Sequence, residues 1–167
     1  MVDQTSFREA MAGLGAAVNI ITSDGASGRA GCTASAVCAV TDEPPTLLVC
    51  LNRSSRNNAA FRENGNLCIN VLSAEQQALA TRFSTRALEV AERFATAQWD
   101  TLSTGSPVLH DAVASLDCEI ESVTEVGTHT VFFCAVKAVR TNDARDALIY
   151  YRRNYHRVGS AAVHAER

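Results

Sequence analysis

The stretch that decides the fold reads Gly31-Cys32-Thr33-Ala34-Ser35-Ala36-Val37-Cys38-Ala39-Val40-Thr41-Asp42-Glu43-Pro44-Pro45-Thr46-Leu47-Leu48-Val49-Cys50-Leu51-Asn52-Arg53-Ser54-Ser55. Its first half is a strand of small and hydroxyl side chains, stopped at Pro44-Pro45 because proline donates nothing to a β ladder. Residues 46–51 are apolar throughout, as in a strand buried on both faces. Asn52-Arg53-Ser54-Ser55 then opens a helix, where serine is a favoured cap and the free amides carry partial positive charge. Small side chains let a flat ligand lie against the main chain, hydroxyls bond its polar edge, and arginine at a helix start suits an anion. A wall for a ring beside a seat for a phosphate outlines a phosphorylated planar cofactor, and a flavin nucleotide fits it.

The same alternation of short strands and punctuation continues outward. Ser6-Phe7-Arg8-Glu9 reads as a capping box opening a short helix with Phe7, Ala10, Met11 and Leu14 on one face. Residues 17–22 form a strand closed by Ser23-Asp24-Gly25 and Gly28. The helix begun near Ser54 or Ser55 ends at Asn64-Gly65. Residues 67–72 form a strand, and Ser73-Ala74-Glu75-Gln76 is a second capping box, with Leu79 and Phe83 on the inner side of its helix. Residues 84–107 read as a loop with a short helix at 89–94. Residues 115–121 alternate as a strand with a slip near Ser122-Val123, and 130–136 are apolar on both faces, one for the core and one for a helix or a second subunit. The final strand is 147–151, and 1–158 is one domain with a flexible tail at 159–167. Roughly six to eight strands and three or four short helices, without βαβ alternation, predict a mostly β fold: an antiparallel barrel with helices at its ends.

The bulk properties exclude several classes of function. A formal net charge of −3 gives no basic surface for nucleic acid or an anionic membrane. No window approaches the about 20 apolar residues of a membrane span, and Met1-Val2-Asp3-Gln4-Thr5-Ser6 lacks the features of a secretory signal, so a cytoplasmic location is expected. The six cysteines form no C-x-x-C pair and have no histidine at metal spacing, so they read as small hydrophobes in apolar strands, with no metal site and no disulfide framework. G-x-G-x-x-G and G-x-S-x-G are both absent, so any nicotinamide cofactor binds outside a Rossmann site and no acyl-transfer nucleophile stands out. Hydride transfer needs stacking and orientation rather than an acid–base triad. Candidates beyond the opening stretch are Asn70, an amide in an apolar strand that needs a partner in backbone or cofactor; His129 in Gly127-Thr128-His129 at a strand turn; and Tyr150, Tyr151 and Arg152, whose rings and cation suit a dinucleotide.

Taken in order, Phe7-Arg8-Glu9-Ala10-Met11, residues 15–22, the Thr33–Val37 run with its double proline, Leu67-Cys68-Ile69-Asn70-Val71-Leu72-Ser73, Glu92-Arg93-Phe94, Gly127-Thr128-His129 and residues 148–153 resemble the short-chain flavin reductases that serve two-component flavin-dependent monooxygenases. The resemblance runs from Phe7 to Val158. It implies an FMN-binding split β-barrel of Greek-key type, usually a homodimer, reducing FMN or FAD with NADH or NADPH and releasing reduced flavin to a partner monooxygenase. By it, Thr33, Ala34, Ser35, Ala36 and Val37 line the isoalloxazine ring; Asn52, Arg53, Ser54 and Ser55 hold the phosphate; and Phe83 packs nearby. His129 positions the nicotinamide, with Tyr150, Tyr151 and Arg152 beside it. The family's Gly-Asp-His is Gly-Thr-His here, so a carboxylate is missing. A non-enzymatic flavin-binding or flavin-delivery protein on the same fold is the alternative, and a pyridoxamine-phosphate-oxidase-like enzyme ranks below it.

Overall fold

Seven antiparallel strands form the main sheet, in the order β3-β2-β6-β9-β10-β5-β4. In chain order the strands are β1 (Ala16–Ala17), β2 (Asn19–Ser23), β3 (Ala30–Ala34), β4 (Val37–Asp42), β5 (Pro45–Asn52), β6 (Asn66–Val71), β7 (Trp99–Asp100), β8 (Val108–Leu109), β9 (Ala114–Val126), β10 (His129–Thr141), β11 (Ala147–Tyr151) and β12 (Asn154–Val158). The helices are α1 (Gln4–Ala12), α2 (Arg56–Asn64), α3 (Gln77–Ser84), preceded by a 3-10 turn at Ala74–Gln76, and α4 (Val90–Phe94). This computed structural model describes residues 1–159, so the tail expected at 159–167, with His164, lies outside the described residues but for Gly159.

The edge strands of the sheet, β3 and β4, are consecutive in the chain and joined only by Ser35-Ala36. Three Cα steps of about 3.8 Å bring the end of one to the start of the other, so the sheet must curl until its edges meet at a corner. The chain then jumps from β5 to β6 past the β9–β10 pair through α2, which is the over-connection of a Greek key. The interior is filled by Ile21, Val49, Leu51, Phe61, Leu67, Ile69, Phe132 and the thiols Cys118 and Cys134. A second core lies outside β2, where Ile20 and Leu72 meet α3, α4 and the β7–β8 hairpin through Phe83, Phe94 and Leu109. β2 is therefore buried along its whole length. Helices α2, α3 and α4 pack on β2, β3 and β6, and among the described residues no helix packs as extensively on β4, β5 or β10.

The structure corrects several expectations. Helix α1 begins at Gln4, because Asp3 rather than Ser6 is its cap: the Asp3 carboxylate accepts from the Ser6 amide at 2.9 Å. The strand expected through 33–37 is two strands broken at Ser35-Ala36. The bulge near Ser122 falls one residue earlier, since Phe133 faces Ser122 and Cys134 faces Ile120, leaving Glu121 unpaired. β12 and the β7–β8 hairpin add strands that the sequence did not announce. Cys38 is exposed rather than packed in an apolar strand.

Candidate functional site

The corner where the barrel's edges meet opens into a cavity of about 1240 Å³. Its walls include Gly15, Ala16, Ala17 and Asn19 from the first strands, Ser35, Ala36, Val37 and Cys38 at the corner, Cys50 on β5, and Tyr150 and Arg153 from the β11–β12 hairpin. The corner is tight: the Val37 amide donates to the Ser35 carbonyl and the Cys50 amide to the Ala36 carbonyl, each at 2.9 Å. Among the described residues the amides of Ser35 and Ala36 have no acceptor, so two donors stand at the rim with almost no side chain over them.

Of the expected ring wall, Ser35, Ala36 and Val37 line this cavity, while Thr33 and Ala34 stand behind it. The Thr33 hydroxyl donates to the Ala80 carbonyl at 2.5 Å and ties the wall to α3, and Ala34 packs on the interior core. Two expected cofactor residues are structural. Phe83 is 1 % exposed and stacks edge-on to Phe94, with ring centroids 5.0 Å apart, beneath Gly31. Asn70 is fully buried, with its amide spent on Ile20, Thr22, Leu109 and Ser115. Neither side chain lines the cavity, because each is turned to the core face of its element.

Two residues further along β5 the surface becomes polar. Asn52 accepts from the Ser54 amide and hydroxyl at 2.9 and 2.8 Å, which folds the loop into an Asx turn. Ser55 then caps α2 by accepting from the Asn57 amide, and Gly65 closes that helix at φ 70°, a left-handed position that glycine fills without strain. His129 is the direct cross-strand neighbour of Asn52, so the expected phosphate loop and the expected nicotinamide histidine share one strand end. The His129 Nδ1 lies 2.9 Å from the hydroxyl of Thr128, the residue that replaces the family's carboxylate.

Two further arginines, Arg56 at the helix start that the sequence marked as suited to an anion and Arg93, have partners that only the fold reveals. Arg56 donates to the Arg86 carbonyl at 2.9 Å, drawing the loop after α3 against the start of α2. Arg93, 7 % exposed, donates to the carbonyls of Gly31, Phe83, Thr85 and Leu88 and meets no carboxylate among the described residues. Beside it, burial pushes the Cys32 thiol up to about 12, with Arg93 pulling the other way. Burial also raises the Cys50 thiol. The motif Glu92-Arg93-Phe94 marked Arg93, but only the fold shows which carbonyls it gathers.

Tyr150, Tyr151 and Arg152 are divided. Tyr150 faces the cavity and packs on Tyr155, with centroids 5.3 Å apart. Tyr151 and Arg152 stand at the hairpin tip, the Arg152 guanidinium 5.5 Å from the Tyr151 ring centroid. Arg152 and Arg153 have φ of 47° and 63°, the backbone of a type I′ turn in residues that bear side chains.

A family model described as flavin reductase like domain matches residues 11–159. The FMN reductase (NADH) RutF of Serratia proteamaculans is 54% identical over 93% of this chain and 88% of its own. A putative flavin reductase from Haemophilus somnus superposes with a TM-score of 0.91 at 46% identity, over 94% of this chain and 100% of that one. The styrene monooxygenase flavin reductase SMOB of Pseudomonas putida superposes at 0.81 with 27% identity, over 91% of this chain and 96% of its own.

Proposed function

The chain belongs to the flavin reductase like family, and from that premise we propose how its own residues serve NADH-dependent reduction of a flavin. The single observation that carries the reading is the cavity at the barrel corner, whose small-residue wall and two free amides fit the edge of an isoalloxazine ring. Its volume exceeds the roughly 300–1,000 Å³ of a pocket for one drug-sized ligand, which leaves room for a nicotinamide ring beside the flavin. Ser35, Ala36 and Val37 take the ring edge. Ser54, Ser55 and the start of α2, with Arg56 close by, take the phosphate. His129 and Tyr150 flank the nicotinamide, with Tyr151 and Arg152 at the rim. Bound flavin supplies the acceptor for the hydride; the protein supplies distance and orientation. FMN and NADH are the preferred pair, following the name of the Serratia relative.

A homodimer belongs to the same reading. Leu48, Cys50, Val131 and Phe133 lie on the outer face of β5 and β10 and are only half-buried. Helix α1 buries none of its residues, and Phe7 and Met11 are 58% and 47% exposed. A second copy covers such surface best. Residues 1–158 act as one domain in the cytoplasm, and reduced flavin passes by diffusion to an oxygenase component, as the pairing named for the Pseudomonas relative supports. Among the described residues no helix is long and apolar enough to cross a membrane.

The test is NADH oxidation under air with FMN, then with FAD and with NADPH. Turnover proportional to enzyme and fastest with FMN and NADH is expected. Flavin binding without oxidation of either nicotinamide would turn the reading to a non-enzymatic flavin carrier.

A further inference from the structure

Arg53 resembles a phosphate ligand by its place in Asn52-Arg53-Ser54-Ser55, yet its contacts run the other way. Its amide donates to the Thr128 carbonyl at 2.9 Å and its guanidinium to the Gly127 carbonyl at 3.0 Å. The same guanidinium lies 3.5 Å from Glu125, and Glu125 is held from its other oxygen by Arg62 of α2 at 2.7 Å. Gly127 has φ 54° and Thr128 follows it, so the β9–β10 tip is a two-residue turn with glycine first. Both carbonyls of that turn are thus held by one residue, and the next residue is His129. The His129 ring is braced at Nδ1 by Thr128, so wherever the tip goes the ring goes.

We propose that Arg53 is a positioning residue for the nicotinamide end of the site and not a ligand of the flavin phosphate. It pins the Gly127-Thr128 turn to the flavin loop, and so sets His129 at a fixed distance from the ring wall. The inference rests on the reading of His129 as a nicotinamide residue. Arginine is required because one planar fork spans a carbonyl and a carboxylate; an ammonium group keeps the charge without the span.

The experiment compares Arg53→Ala, Arg53→Lys and Glu125→Gln in the full chain, and repeats Arg53→Ala on a His129→Ala background. The readouts are KM for NADH, Kd for FMN by fluorescence quenching, and the His129 ring proton signals in the flavin-free protein. Both Arg53 variants are expected to raise KM for NADH about tenfold while FMN affinity stays within about twofold. Glu125→Gln moves KM the same way to a smaller extent. On the His129→Ala background Arg53→Ala adds less than about twofold, because the two act through one element. The His129 signals shift in Arg53→Ala before any flavin is added. FMN affinity lost about tenfold with KM for NADH unchanged would restore the phosphate role and overturn the proposal. Full multiplicative effects on the His129→Ala background, or His129 signals that do not move, would overturn it as well. Wild-type protein that fails to oxidise NADH sinks the functional reading instead, and the strut is then judged on the ring signals and FMN affinity.

Discussion

Replacing Asn70 by alanine separates a structural amide from a cofactor ligand. Its Nδ2 donates to the Ile20 carbonyl and the Thr22 hydroxyl, both at 3.1 Å. Its Oδ1 accepts from the Leu109 amide at 2.8 Å and the Ser115 hydroxyl at 3.0 Å. Thr22 keeps a second partner in the Pro107 carbonyl, so its loss is slight. The Leu109 amide and the Ser115 hydroxyl are both stranded, since Leu109 and Ser115 are each 1 % exposed. A stranded buried donor costs about 1–3 kcal/mol, so two of them put the loss at roughly 2–6 kcal/mol. For a chain of this size each kcal/mol moves Tm by roughly 2–4 °C, so a fall of about 5–20 °C is expected. The assay is a thermal melt paired with an FMN titration at a temperature where both proteins are folded. FMN affinity should stay within about twofold of wild type. A variant that melts with the wild type yet binds FMN about tenfold more weakly would refute the assignment of Asn70 to the core.

Gly31→Ala places a Cβ 2.7 Å from Cε1 of Phe83, whose ring is held by Phe94 and Trp99, so the clash cannot be relieved cheaply. A loss of about 1–3 kcal/mol in urea unfolding is expected, and an unchanged midpoint would show the aromatic cluster to be loose. Arg153→Gly removes a left-handed strain of roughly 1–2 kcal/mol and gives up an exposed ion pair with Glu9 that is worth less than about 1 kcal/mol, so the urea midpoint should rise at constant slope. Asp100 is held below the usual carboxylate range, first by Nη1 of Arg140, which donates to both its oxygens at 3.1 and 2.9 Å, and then by His110. With the folded value depressed, its stabilisation is complete above the unfolded value near 3.8 and fades as pH falls through the lower folded one; Asp100→Asn should flatten the acid limb of a stability–pH curve below about pH 4, and an unchanged acid limb would refute the assignment.

What the sequence disclosed was local chemistry. Ser55 and Gly65 bound α2 because a cap and a left-handed stop are properties of single residues. The apolar run 130–136 announced a strand, with Phe132 and Cys134 on its core face, while Val131 and Phe133 on the other face are half-buried in the single chain. Where residues had to choose between partners, the sequence was silent. Asn70 needed a hydrogen-bond partner, but whether backbone or cofactor supplied it depended on β2, β8 and β9 arriving together. Phe83 could face a ligand or Gly31 with equal local propensity. Arg53 and Arg56 are three residues apart, and only the fold shows that one guanidinium is held at the β9–β10 tip and the other at the Arg86 carbonyl. β12 escaped notice because His156, Arg157 and Val158 are exposed, so no alternation marks its inner face.

The site lies where the sheet's hydrogen bonding stops, and there is a physical reason for that. An open sheet leaves two unpaired edges, each a row of donors and acceptors that invites pairing with another chain. Here both edges belong to consecutive strands and are drawn to one corner by Ser35-Ala36, so the unpaired groups of the fold are concentrated instead of spread. Fully closing the corner would satisfy the amides of Ser35 and Ala36 and leave nothing for a ligand. Leaving it wide would expose Leu47, Ile69 and Val136, which line the same cavity from the core side. On the function proposed above, a flat cofactor with an apolar ring and a polar edge would meet both demands, covering the apolar floor and accepting from the two amides. Arg53, Arg56 and His129 all stand at the β5 end beyond that corner, so in the proposed reading one strand sets both the phosphate end and the nicotinamide end. Because cofactor binding caps the open edge, it should also stabilise the fold.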